Sequence, residues 1–120
     1  MNKLSISPEA KKDLEEIKAY ITDKLENPAA AVNVVSRITQ SLRRLRDMPG
    51  IGTPLSSKLP FEIDGAYRFL VCGNYLVFYR YTNKTIYIER ILYGRRDYAK
   101  ILFPEMQNPD NKEQRGLNIP

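Results

Sequence analysis

Apolar positions in the first half of the chain recur at helical spacing. Ala10, Leu14, Ile17, Ile21 and Leu25 fall at steps of three and four, with Lys11, Lys12, Glu15, Glu16 and Lys18 between them. That is the stripe of an amphipathic helix packing one side inward. Ser7-Pro8 marks its start. A serine oxygen can accept from an unpaired N–H of the first turn, and proline at the first helical position sacrifices no hydrogen bond. Leu4 to Ser7, just ahead, reads as a short strand. Asn27-Pro28 repeats the start signal, and Ala31, Val35, Ile38, Leu42 and Leu45 form a second stripe that Pro49-Gly50 ends. Two stripes so close in sequence predict an antiparallel helical hairpin, with both stripes in the core.

The period then changes. Gly50 to Ile63, broken by Gly52, Pro54 and Pro60, reads as a connecting loop, long enough to invite a functional role. Ala66 to Cys72, Tyr75 to Tyr81 and Thr85 to Leu92 are rich in Val, Ile, Tyr and Phe, separated by Gly73-Asn74 and Thr82-Asn83-Lys84. Short turns between such runs predict a three-stranded antiparallel meander. Alternation puts Tyr67, Phe69 and Val71 on one face and Arg68, Leu70 and Cys72 on the other. It also sets Arg80 with Leu76 and Phe78, and Arg90 with Ile86, Ile88 and Leu92. Ala99 to Phe103 suits a last short strand or a helical turn. The fold expected is α+β, an antiparallel sheet covered on one face by the helical hairpin. Residues 1–103 make the domain, and the polar, aperiodic stretch 104–120 is expected to be a flexible tail.

Charge adds a partner class. The chain carries 19 basic and 14 acidic side chains, a net of +5. The excess is concentrated between Ala66 and Lys100, where Arg68, Arg80, Lys84, Arg90, Arg95, Arg96 and Lys100 face only Glu89 and Asp97. A local excess of this kind suits nucleic acid or an acidic protein segment, although a solvated basic surface would also account for it. No apolar run is long enough to cross a membrane, and the N-terminus lacks the apolar stretch of a signal peptide. One cysteine, Cys72, excludes an internal disulfide and fits the reducing cytoplasm where the protein is expected.

The chain has no histidine. That removes histidine-based acid–base pairs, triads and metal sites, and one cysteine cannot build a zinc cluster. No metal or cofactor is expected. Arginine and tyrosine remain: arginine clamps phosphate or carboxylate, and tyrosine stacks on bases. Arg68, Tyr93, Arg95, Arg96 and Tyr98 are the candidates if the protein cleaves RNA. Arg68, Arg80, Arg90, Arg95 and Arg96 are the candidates for binding a target. Tyr75, Tyr79, Tyr81 and Tyr87 are read as sheet core.

Specific segments add a resemblance. Ser7-Pro-Glu-Ala-Lys-Lys-Asp-Leu-Glu-Glu-Ile17, Asn27-Pro-Ala-Ala-Ala31, Met48-Pro-Gly-Ile-Gly-Thr-Pro54, Gly73-Asn-Tyr-Leu-Val-Phe-Tyr-Arg80 and Arg90-Ile-Leu-Tyr-Gly-Arg-Arg-Asp97 resemble, in this order, the helices, loop, strands and closing motif of RelE/ParE-family toxins. The resemblance runs from about Leu4 to Phe103. It implies a bacterial toxin with a cognate acidic antitoxin. Such toxins either cleave mRNA at the ribosome, as RelE-type members do, or poison DNA gyrase without being nucleases, as ParE-type members do. Many ParE-type members have histidine where Tyr93 stands. Leu70 and Leu76 occupy positions where RelE-type nucleases carry basic side chains, and an aliphatic chain cannot bind a phosphate oxyanion. These departures favour the gyrase reading over the endoribonuclease reading. A degenerate member serving only as a binding module or corepressor stays open beside them.

Overall fold

The computed structural model describes residues 2–59, 61, 63 and 66–104. Strand β1 (Lys3–Ile6) leads into helix α1 (Pro8–Ala19), which continues as a π-helical turn over Tyr20–Lys24. Helix α2 (Pro28–Asp47) follows, then the short edge strand β2 (Thr53–Pro54), the meander β3 (Tyr67–Cys72), β4 (Tyr75–Thr82) and β5 (Thr85–Tyr93), and a closing helix α3 (Tyr98–Leu102). The five strands form one sheet in the order β1-β5-β4-β3-β2. The meander is antiparallel as expected, but β1 joins β5 in parallel. A sheet expected to be wholly antiparallel is therefore mixed.

Both helix starts follow their sequence signals. The Ser7 side chain accepts from the Ala10 N–H at 2.9 Å and Asn27 accepts from Ala30 at 3.1 Å, each with proline at the first helical position. The two stripes meet one face of the sheet: Ala10, Ile38, Leu42 and Leu45 are buried with Val77, Tyr79, Ile86, Ile88 and Ile91. Leu25 is the exception, 57% exposed. The helix has ended there: Leu25 caps the π-turn, and Glu26 takes a left-handed φ of +50° that redirects the chain towards α2.

The opposite face is covered too. Leu55, on a 3-10 turn after β2, is fully buried with Phe78 and Leu92, and Tyr98, Ile101, Leu102 and Phe103 pack around them. The segment read as a connecting loop thus supplies an edge strand and the centre of a second core. Of the stretch Ala99 to Phe103, expected as a strand or a helical turn, Ala99 to Leu102 lie in helix α3 and Phe103 caps it. Residues 105–120 lie outside the described residues, and with them nearly all of the expected tail.

One expected alternation breaks. Phe78 pairs with Arg90 and Tyr79 with Ile88, so Glu89 is an extra residue in β5. Such a bulge shifts which side chains face which side. Ile91, not Leu92, therefore continues the helix-facing row of Ile86 and Ile88, and Leu92 joins the second core. The hairpin turns hold to expectation. Gly73 has φ +59°, and Asn83 and Lys84 both have positive φ, as a two-residue turn matched to strand twist requires. No helix among the described residues is long and apolar enough to cross a membrane, and no cluster of metal-ligating side chains occurs among them.

Candidate functional site

The five candidate arginines part into two kinds. Arg68 lies on the helix-facing side of β3, opposite Tyr79, and its Nη1 donates to the Gly52 carbonyl at 2.8 Å. Arg80 lies on the other side of the sheet. Its Nε donates to Glu89 Oε2 at 2.7 Å, and its guanidinium sits 5.7 Å from the Tyr67 ring centre and 5.1 Å from that of Tyr87. Both ring distances are within cation–π range.

Arg90 is tied more firmly. Its Nε and Nη2 donate to the two oxygens of Asp13 at 2.8 and 2.9 Å, and the Ile91 N–H donates to the same carboxylate at 2.9 Å. The Asp13 side chain is only 4% exposed. The hydrogen bond to Asp13 raises the Arg90 pKa still further, against a desolvation that would lower it. A buried carboxylate is tolerable only when its oxygens are matched by donors, as here.

Arg95 and Arg96 differ. They follow the end of β5 in a turn held by Gly94 N–H to Asn74 carbonyl at 2.8 Å and Arg96 N–H to Tyr93 carbonyl at 3.0 Å. Both side chains are exposed. A Cβ on Gly94 would stand 3.2 Å from the Asn74 carbonyl oxygen, so a small residue lets the turn close against the neighbouring hairpin. Tyr98, another candidate, packs on Phe78 with ring centres 5.2 Å apart and belongs to the second core.

Beside this turn opens a cleft of about 590 Å³ between α1 and the ends of β4 and β5. Ile17, Tyr20, Leu25, Tyr75, Tyr93 and Arg96 line it. Tyr20, Leu25 and Tyr93 are 57%, 57% and 41% exposed. Tyr75 and Tyr93 meet edge to face at 5.9 Å. Burial pushes the Tyr75 phenol up, and the neighbouring Tyr93 and Tyr20 phenols add to this.

Tyr93 and Arg96 are thus brought together, whereas Arg68 and Arg80 stand on opposite faces of the sheet. Arg80 shares its face with Leu76 and Phe78 as the alternation predicts. Among the tyrosines read as core, Tyr79 is fully buried, Tyr75 and Tyr87 are half-buried, and Tyr81 is exposed. Sequence reasoning missed Asp13 and Glu89, the partners that engage Arg90 and Arg80. Asp13 had a visible signal: it falls three residues after Ala10 and four before Ile17, an acid inside an apolar stripe.

Residues 4–98 match the family described as the ParE toxin of the type II toxin–antitoxin system, parDE. No curated protein matches the chain. Among solved structures, the chromosomal ParDE toxin–antitoxin system from P. aeruginosa is similar with a TM-score of 0.63 and 24% identity, over 78% of this chain and 96% of that one. The E. coli DinJ–YafQ complex is also similar, with a TM-score of 0.48 and 17% identity, over 86% and 99% of the two chains. The family match spans the first strand, the helical hairpin, the meander and the Arg95–Arg96 turn, and the chain belongs to the ParE toxin family of type II toxin–antitoxin systems.

Proposed function

We propose that this toxin inhibits DNA gyrase through the exposed turn carrying Arg95 and Arg96, and that a cognate acidic antitoxin holds it in check. The observation that carries the reading is the engagement of the strand arginines. Arg68 donates to Gly52, Arg80 to Glu89 and Arg90 to Asp13. Cleaving a phosphodiester needs positive groups converging on one phosphate, with a proton acceptor beside the attacking hydroxyl. Of the nuclease candidates, Arg68 is tied to the Gly52 carbonyl and Tyr98 packs in the second core, and the chain has no histidine. A basic turn beside an apolar cleft suits protein recognition, in which apolar anchors supply affinity and rim charges supply steering.

The test is a supercoiling assay with purified toxin, gyrase and relaxed plasmid. Supercoiling is lost in the presence of toxin, and Arg95→Ala with Arg96→Ala restores it. Unchanged supercoiling at saturating toxin would refute the reading. The same preparation, added to a translation reaction, leaves mRNA uncut at A-site codons; cleavage there would instead identify a ribosome-dependent endoribonuclease. A corepressor without toxicity would give neither effect and no growth arrest on expression without antitoxin.

A further inference from the structure

The densest basic surface outside the Arg95–Arg96 turn lies on α2. Its last eleven residues hold Arg37, Arg43, Arg44 and Arg46 against the single acid Asp47. Arg37, Arg43 and Arg44 are exposed and Arg46 is half-buried. Arg37 and Arg44, seven residues apart, share one shoulder of the outward face. Arg43 and Arg46, three apart, share the other. No ion pair joins any of the four to a carboxylate among the described residues. The helix dipole favours Arg44 and Arg46 in the last turn, but it does not reach Arg37, two turns earlier.

The basic surface continues onto the adjoining end of the sheet. Asn2 Nδ2 donates to the Arg46 carbonyl at 2.8 Å, and the neighbouring Lys3 N–H donates to the Lys84 carbonyl at 2.8 Å. Lys3 and Lys84 are both exposed. This end of β4 is Thr82, whereas the Arg95–Arg96 turn adjoins its other end at Tyr75. Eight residues of strand separate Lys3 and Lys84 from the Arg95–Arg96 turn by roughly 25 Å.

We propose that the arginine-bearing face of α2, with Arg37, Arg43 and Arg44 as its principal contacts, binds the phosphate backbone of duplex DNA. The surface is a convex helix flank with cations along both shoulders, which suits the outside of a duplex, where arginines take phosphates and fix position without reading sequence. A single strand would need aromatic platforms, and α2 contains no aromatic residue. An acidic protein would need an apolar centre to its interface. The exposed apolar residues here, Val32 and Met48, lie beyond either end of the arginine-bearing stretch. The inference goes beyond the gyrase reading and does not depend on it.

The test uses the full chain, a fluorescein-labelled DNA duplex of mixed sequence and anisotropy titrations, with no gyrase present. Three phosphate contacts give a log–log salt slope of about −2.7, so affinity falls roughly 40-fold between about 50 and about 200 mM salt. The variant Arg37→Glu/Arg43→Glu/Arg44→Glu abolishes binding. A charge-matched control, Lys11→Glu/Lys12→Glu/Lys18→Glu, reverses three exposed lysines of α1 and keeps it. Circular dichroism melts show both variants folded; if the arginine triple does not fold, the single reversal Arg43→Glu substitutes, with the slope lowered by about one. Equal loss in both triple variants would show attraction by net charge alone and overturn the proposal. So would the absence of duplex binding at low salt, or a labelled single strand or polyglutamate peptide binding more tightly than the duplex.

Discussion

Asp13 and Arg90, 77 residues apart in the chain, meet in a two-pronged ion pair that fastens α1 to β5 beside the bulge at Glu89. The same carboxylate takes the Ile91 N–H. Ser7 works at the same junction: its hydroxyl caps α1 and donates to the Glu89 carbonyl at 2.8 Å. The bulge, the helix start and the ion pair therefore form one joint between the helical layer and the sheet.

Asp13→Ala is expected to destabilise the fold by about 3 kcal/mol, because it leaves a half-buried guanidinium and a backbone N–H without their acceptor. Asp13→Asn, which keeps an acceptor for Ile91, should lose less. Urea titration checks this through a lowered midpoint at unchanged slope. A midpoint equal to that of the parent for Asp13→Ala would show that the joint contributes nothing to stability.

Gly52→Ala is expected to cost about 2 kcal/mol through overpacking. Its Cβ would meet the Tyr79 hydroxyl and stand 2.7 Å from the Phe69 carbonyl oxygen. Tyr79 cannot retreat easily: it is fully buried, donates to the Pro49 carbonyl at 2.6 Å and accepts from the Gly52 N–H at 3.0 Å. The double variant Gly52→Ala/Tyr79→Phe should recover part of the loss. Thermal melts of the single and double variants separate crowding from the lost hydrogen bonds, and an undiminished melting temperature for Gly52→Ala would refute the close approach.

Alkaline pH should loosen the fold. Burial raises the phenols of Tyr75 and Tyr79; for Tyr79 it outweighs the Gly52 hydrogen bond and the Arg68 charge, which pull the other way. Both phenols therefore hold their protons more firmly folded than unfolded. Their contribution to stability is complete below about pH 10 and is lost as pH rises through the folded-state values. Denaturant midpoints measured across this range should fall, and Tyr79→Phe should flatten the decline. A parent protein whose midpoint does not change across this range would contradict the expectation.

Arg95→Ala with Arg96→Ala is expected to raise viable counts after induction at least tenfold. Stability should change by no more than about 0.5 kcal/mol, since both side chains are exposed. Viability after induction, beside a melting curve, is the measurement. Full toxicity from a folded double variant would place the target surface elsewhere.

The elements were legible because each depends on its neighbours along the chain. Ser7-Pro8 and Asn27-Pro28 start their helices through bonds three residues long, and Ala10 to Ile21 and Ala31 to Leu45 mark inward faces by spacing alone. Gly73 and Asn83 adopt at little cost the left-handed conformations with which the two hairpins close. The order of these segments also carried the family. What adjacent residues cannot encode is which distant group each side chain meets. Strict alternation set Arg90 beside Ile88 and Leu92, and only the bulge, seated against Ser7 and Asp13, divided that row between two cores. Arg68, Arg80 and Arg90 read as one basic set because their charge is visible in the sequence and their acceptors are not. Tertiary packing gave the three arginines internal partners and left Arg95 and Arg96 exposed at the end of β5.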